Sequence, residues 1–311
     1  MRRALLLPIL IAAVLVLMGV ATKPRDGVAT AYLAAAEPQT RSSQAYLLPI
    51  AEPAYAPIRN TAIREPALSA GAALLLDGDT GRLLMSKNST SRVPIASLTK
   101  LVSAVVATEL FSPQEVVTIA SGSVRVDGIK ASLHIGERMS VHDLVVMMLV
   151  ESSNDAAAAL SAYAQERGID FVVAMNDLAQ RLGMEQCTFL DPAGLNDAAL
   201  CTADNLSKLI RYVMKEQQPL LAITAIKKAT IFSSDEAYVH DLVNTNELLG
   251  GDEGVYGGKT GFTDGALGCL IALVNLPGNN GTLISIVLGS QSRFSDTSAL
   301  IGWAQRAFLW Q

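Results

Sequence analysis

From Ser69 onward, apolar residues occur in two rhythms, short dense runs and longer stretches with a helical period. The run Gly71 to Leu76, the turn Asp77-Gly78-Asp79-Thr80-Gly81 and the stretch Arg82 to Met85 predict a β-hairpin. Between Leu98 and Leu110, the spacing of Leu98, Leu101, Val102, Val105 and Val106 is helical, with Pro94 just upstream. Ser97 therefore falls at a helix N-terminus. Further helices are expected at 142–150, 155–166, 170–182 and 203–215. Two β-rich runs follow, Ala266 to Asn275 and Thr282 to Gly289, separated by the turn Pro277-Gly278-Asn279-Asn280-Gly281, and then a closing helix from Ser295 to Leu309. Strands at both ends of a central helical block predict one sheet assembled from both termini, in an α/β or α+β layer arrangement.

Residues before Ser69 follow neither rhythm. Arg2 and Arg3 precede an uncharged apolar run from Ala4 to Ala21, which reads as a secretory signal or a membrane-spanning helix. The length of the run and the imperfect cleavage site at Gly19-Val20-Ala21 favour an uncleaved anchor over residues 1–22. The basic residues ahead of it then send the rest of the chain outward. Residues 23–68, rich in Ala, Pro, Ser and Thr, read as a flexible tether, which places the folded domain at 69–311.

A chain of 311 residues that is 50% hydrophobic can bury a substantial core. Its net charge of -5, with no cluster of Lys and Arg beyond short pairs, leaves no footprint for nucleic acid. The three cysteines have no zinc-site spacing, and no metal or cofactor motif is present. Cys187 and Cys201 flank the turn-rich segment Asp191-Pro192-Ala193-Gly194-Leu195 and could pair in an exported protein. The tendency of cysteine to be buried favours two free thiols instead, and Cys269, in an apolar run, reads as core.

Three short motifs carry the chemistry: Ser97-Leu98-Thr99-Lys100, Ser152-Ser153-Asn154 and Lys259-Thr260-Gly261. A Ser-x-x-Lys is expected about once by chance in a chain like this, so order and setting supply the specificity. Residues three apart on a helix share a face, which puts the Ser97 hydroxyl beside the Lys100 amine. A lysine can take the serine proton when burial or nearby positive charge keeps it neutral, and Lys259 could supply that charge. The Ser97 N–H, at the positive end of its helix, could stabilise an oxyanion. The rival Ser-His-Asp triad would need His134, His142 or His240, none of which has a supporting motif. All three read as surface or capping residues.

In this order, Ser-x-x-Lys, Ser-x-Asn and Lys-Thr-Gly resemble the motif set of penicillin-recognising serine enzymes. With their neighbours, Pro94 to Leu101, Ser153 to Ala157, Asp191 to Leu195 and Gly258 to Thr263, they resemble low-molecular-mass D-alanyl-D-alanine carboxypeptidases over nearly all of 69–311. The resemblance implies a β-lactamase/transpeptidase-like fold, an antiparallel sheet flanked by helices with an all-helical insert. It implies that Ser97 attacks the penultimate D-alanine carbonyl and becomes acylated, with Lys100 as general base. Ser152 would relay a proton to the departing D-alanine, and Asn154 would hold Lys100 and the substrate amide. Lys259 and Thr260, on a strand facing the nucleophile, would grip the terminal carboxylate. Gly261 would allow close approach, the Phe262 N–H would be the second oxyanion donor, and Thr263 would complete the substrate-binding strand.

Within that group, a class A β-lactamase would carry a deacylating glutamate in a Glu-x-x-Leu-Asn segment, which this sequence lacks. Slow turnover of β-lactams, bound as covalent inhibitors, is therefore expected. Ser153 replaces a common glycine and could crowd the groove, and Arg293 is the nearest candidate for a further carboxylate-binding arginine. The implied partners are peptidoglycan stem peptides ending in D-Ala-D-Ala and, through the N-terminal helix, the membrane, placing the domain on its outer face. The chain stops at Gln311 without the second domain of many relatives, which agrees with N-terminal anchoring. Endopeptidase action on wall crosslinks, a class A-like β-lactamase and a non-catalytic wall-binding module are the alternatives.

Overall fold

The computed structural model describes residues 57–124, 133–276 and 281–310. The expected anchor at 1–22, the tether through residue 56 and most of the turn at 277–281 lie outside the described residues. Among the described residues, no helix is long and apolar enough to cross a membrane.

A five-stranded antiparallel sheet forms the centre, built from β1 (Ala72–Asp77), β2 (Leu83–Lys87), β3 (Val255–Thr263), β4 (Leu267–Asn275) and β5 (Thr282–Ser290). Their spatial order is β3-β4-β5-β1-β2, so strands from the two ends of the chain meet where Leu283 to Leu288 of β5 pair with Asp77 to Ala72 of β1. The sheet is apolar on both faces. On β4, Ile271 and Leu273 enter one buried cluster while Leu270, Ala272 and Val274 enter another. Period-2 alternation between two cores explains why these strands read as unbroken apolar runs rather than as alternating ones.

Among the described residues, seven helices cover the sheet: α1 (Thr99–Leu110), α2 (Val141–Val150), α3 (Asn154–Glu166), α4 (Phe171–Arg181), α5 (Ala203–Glu216), α6 (Gln218–Thr224) and α7 (Arg293–Ala307). Ser140, Ser153, Asp170 and Thr202 cap α2 to α5 through their side-chain oxygens, each satisfying an amide that the helix leaves open. Helix α1 is buried from Thr99 through Ala107, which makes it the axis of the helical layer. On the opposite face α7 supplies Leu300, Ile301, Trp303, Ala304 and Ala307.

The arrangement is the expected mixed α/β fold, with additions that periodicity did not reveal. Three short antiparallel ladders accompany the helical block, pairing Val93–Pro94 with Leu200–Cys201, Val116–Thr118 with Arg138–Ser140, and Lys228–Phe232 with Val239–Val243. The insert is thus helical with small hairpins, not wholly helical. The closing helix stops at Ala307, because Phe308 and Leu309 turn to pair with Arg59 and Ile58. Residues 57–68 consequently belong to the folded part, where Ile63 and Leu68 pack against the α7 cluster. The tether assignment for these residues is corrected by a pairing with the other end of the chain, which local composition cannot show. Asp296 reinforces that closure, its carboxylate accepting from Ser69 N, Ala70 N and the Ser290 hydroxyl.

Candidate active site

Ser97 sits in a 3-10 turn, Ala96–Leu98, that runs directly into α1. The preceding residue, Ala96, has φ +48°, an uncommon conformation for a residue with a Cβ. It is held by contact on two sides. A Cβ on Gly194 would overlap the Ala96 carbonyl oxygen, and a Cβ on Gly261 would lie 2.9 Å from the Ile95 oxygen. Both glycines therefore let backbone approach the turn that presents Ser97.

One helical step on, Lys100 projects from α1 with no solvent exposure. Its Nζ lies 2.7 Å from Ser97 Oγ, 2.7 Å from Asn154 Oδ1 and 3.1 Å from the Ala193 carbonyl oxygen. Burial lowers its pKa to about 7, partly opposed by the negative charge of Asp191. A neutral amine beside a serine hydroxyl can accept that hydroxyl's proton, the step a serine nucleophile needs.

The second motif bridges α2 and α3. Ser152 adopts φ +67°, turning the chain between the helices, and Asn154 is the first residue of α3. Ser153 is buried, and its hydroxyl accepts from Ala156 N at 3.2 Å. The expectation that it crowds the groove is corrected, since the side chain is turned inward as a helix cap.

The third motif lies inside β3, an edge strand. Lys259 is buried and its ammonium donates to the Thr260 carbonyl at 3.0 Å. Burial, and then the neighbouring positive charges of Lys100 and Arg293, hold its pKa well below the usual lysine value. Thr260 shares a 2.5 Å hydroxyl contact with Thr245. Gly261 faces the Ser97 amide, and Phe262 is exposed. The Thr263 hydroxyl is engaged, donating to Asp197 and accepting from Ala266 N. Arg293, the first residue of α7, is half-buried and donates from Nη1 to the Gly261 carbonyl at 3.3 Å. It therefore lies beside the Lys-Thr-Gly strand.

Two contributors, Asp191 and the Cys187–Cys201 pair, lie outside the three reactive triplets. Asp191 gathers the loop through four amides, with Oδ1 accepting from Ala193, Gly194 and Leu195 and Oδ2 from Asn196. That fold-back aims the Ala193 carbonyl at Lys100. The Asp-Pro-Ala-Gly string was a visible turn signal, but its target was not. Cys187 and Cys201, read as free thiols, form a disulfide, because the loop brings its own ends together. Cys269 is free and buried, as expected.

The histidines stay out of this chemistry. His240 is buried with Nε2 2.5 Å from Glu137 Oε1, and His134 approaches the other oxygen of the same carboxylate. The surface reading of His240 is corrected by that long-range pair. Among the described residues, no group of three His, Cys, Asp or Glu could hold a metal ion.

The fold and this serine–lysine site define a class, the penicillin-recognising serine peptidases. A family model described as D-alanyl-D-alanine carboxypeptidase matches residues 59–292, and the chain belongs to that family. It is 33% identical to a D-alanyl-D-alanine endopeptidase of Pseudomonas aeruginosa, over 76% of this chain and 78% of the relative. It is 28% identical to a D-alanyl-D-alanine carboxypeptidase of Bacillus subtilis, over 79% and 64% respectively. Among solved structures, penicillin-binding protein D2 of Listeria monocytogenes, in a cefotaxime-bound form, superposes with a TM-score of 0.66 at 33% identity, covering 77% of this chain and 98% of that one.

Proposed function

We propose that the protein is a carboxypeptidase that removes the terminal D-alanine from peptidoglycan stem peptides through an acyl-enzyme on Ser97. The observation that carries this reading is the 2.7 Å approach of a buried, pKa-lowered Lys100 to the Ser97 hydroxyl, next to Lys259. Lys100 takes the Ser97 proton as Oγ attacks the carbonyl carbon of the penultimate D-alanine. The oxyanion is held by the N–H groups of Ser97 and Phe262. Collapse breaks the peptide bond, and Ser152 passes its proton to the leaving amine while taking the one that Lys100 holds, which returns Lys100 to the neutral form. Lys259, Thr260 and Arg293 receive the terminal carboxylate. Water, deprotonated by the neutral Lys100, attacks the ester carbonyl, and the acyl–Oγ bond breaks as Lys100 returns that proton to Ser97 Oγ and the shortened peptide leaves.

Asp191 is the negative charge that acts on Lys100, and its two oxygens are already taken by four amides. It is thus a poor candidate for the deacylating base of a β-lactamase, which supports slow turnover of a penicilloyl ester. The anchor at 1–22 and an envelope location belong to the same proposal. An oxidising compartment suits the Cys187–Cys201 bridge.

A second reading, endopeptidase action on wall crosslinks, is favoured by the name of the 33% identical Pseudomonas aeruginosa relative. It uses the same residues on a larger leaving group. The test is to incubate the protein and its Ser97→Ala variant with a pentapeptide ending in D-Ala-D-Ala and with a crosslinked dimer. Release of D-alanine from the first supports carboxypeptidase action, and conversion of dimer to monomers supports the second reading. Turnover of neither substrate, with no Ser97-dependent labelling by fluorescent penicillin, would end both.

A further inference from the structure

We infer that the Cys187–Cys201 disulfide is a positioning clasp for Lys100, closing the loop that holds the lysine against Ser97. The inference rests on the acyl-enzyme reading above and adds two residues that act on the reaction without touching the substrate.

The two legs of the loop have different attachments. Cys187 follows α4, its N–H donating to the Met184 carbonyl. Cys201 belongs to the short ladder in which it pairs with Val93 and Leu200 pairs with Pro94. Pro94 leads through Ile95 and Ala96 into Ser97, so the ladder at the loop's exit also fixes the approach to the nucleophile. Thr188 N donates to Leu200 O at 2.8 Å, drawing the legs together beside the bridge. The disulfide thus ties the incoming leg to the strand that delivers Ser97.

Between the legs, the loop touches the site through Gly194, packed against the Ala96 carbonyl, through Asp197, which accepts from the Thr263 hydroxyl, and at two points on α1. Ala193 O meets Lys100 Nζ at 3.1 Å, and Pro192 O accepts from the Ser103 hydroxyl of α1 at 2.7 Å. Asn176 of α4 also holds the Phe189 backbone through two hydrogen bonds, but anchoring by apolar side chains is sparse. Phe189, Ala193 and Ala199 are buried, while Asn196, Asp197 and Ala198 are exposed. A segment with few apolar anchors and many hydrogen bonds near solvent opens at low cost unless something restrains its ends. A covalent bridge does so by removing open-loop conformations.

Ala193 also forms part of the wall that keeps Lys100 from water, and burial is the main cause of its lowered pKa. When the clasp opens, water reaches the amine and the protonated form is favoured. Asp191, whose charge also favours that form, moves with the loop and offsets part of the effect, while Lys259 faces the amine from β3, and burial is the larger cause. The amine then becomes a base only at higher pH.

The test compares the full chain with its Cys187→Ala/Cys201→Ala variant, following acylation by fluorescent penicillin from pH 5 to 10. The expected result is full labelling by both proteins near pH 10. Toward neutrality, the variant's rising limb is displaced upward by about one pH unit, which is about fivefold in rate at pH 7 and about tenfold below about pH 6. Rising limbs that superimpose overturn the clasp, whether or not the variant is slower throughout, because a purely structural bridge changes the height of the profile and not its position. If the variant does not fold, the native protein is reduced with a water-soluble trialkylphosphine. That reaction yields two thiols and the phosphine oxide, with its oxygen and the two protons coming from water. The same displacement is expected of the reduced protein, and an unmoved limb overturns the inference. A wild type that takes no label overturns the acyl-enzyme reading and the clasp together, whereas a labelled wild type with superimposed limbs overturns the clasp alone.

Discussion

Gly261 faces the backbone nitrogen of Ser97 so closely that a Cβ at this glycine would lie 3.1 Å from it. The same Cβ would lie 2.9 Å from the Ile95 carbonyl oxygen, so β3 and the nucleophile turn can meet only at a residue without a side chain. The two oxyanion donors proposed above, the Ser97 and Phe262 amides, belong to the two segments that meet at this contact. Gly261→Ala should push the strand away and separate the two donors. Acylation by a β-lactam should fall by about 10² to 10³, the usual effect of losing an oxyanion donor. Stopped-flow labelling checks this, and a variant within about fivefold of wild type would exclude the two-amide arrangement.

Acylation should rise with pH through about 7, where Lys100 loses its proton, and level off above. Stability should follow a related course. The folded pKa of about 7 lies below the ordinary 10.5, so between these values the unfolded chain binds more protons than the folded one. The contribution of Lys100 to stability is therefore complete above about 10.5, declines as pH falls, and reaches its floor below about 7. Each pH unit between the folded and unfolded values is worth about 1.4 kcal/mol, so the difference is several kcal/mol. Lys100→Met should abolish acylation and flatten this part of the stability profile. Urea denaturation of both proteins between pH 6 and 10 measures it, and parallel curves would contradict the neutral-lysine assignment.

Asp191→Ala would leave four amides without their acceptor and release the Ala193 carbonyl from Lys100. A destabilisation of about 3 kcal/mol is expected, because charge-assisted bonds are lost together. Acylation should drop about 10²-fold from misplacement of the base. Paired thermal unfolding and labelling experiments test both effects. Full activity in a destabilised protein would show that the loop supports the fold and not Lys100.

Ser153 offers the contrasting case, a motif residue whose side chain serves the helix. Ser153→Ala should lower stability by about 1 kcal/mol through loss of the α3 cap, and Ser153→Gly by only a few tenths. Acylation rates of both should stay within about threefold of wild type. A large rate gain for Ser153→Gly would mean that the serine does reach the groove.

Reading these positions from sequence succeeded where the information was local. Leu98, Leu101, Val102, Val105 and Val106 gave the period of α1, and a period of 3.6 is enough to put Lys100 one turn from Ser97. The strands from Leu267 and Thr282 were legible as runs because both faces are buried. Helix α6, seven residues with proline in its first turn, was too short to show a period. The hairpin at Lys228–Phe232 and Val239–Val243 was missed for another reason. Its exposed Phe232, Val239 and Val243 blur the apolar alternation that marks a half-buried strand.

By itself, the sequence determined which groups can react and in what local register, since helix period, cap residues and motif spacing act over a few residues. Only the tertiary structure decided that the Asp191 loop would aim the Ala193 carbonyl at Lys100, and that Cys187 would meet Cys201. It likewise joined His240 to Glu137 and brought Arg293 to the Gly261 carbonyl. The His240–Glu137 and Arg293–Gly261 contacts join segments far apart in the chain, and their partners are selected by the packing of two buried cores against one sheet. The pKa of Lys100 belongs with them, because a lysine becomes a base near pH 7 through the water that the assembled fold excludes.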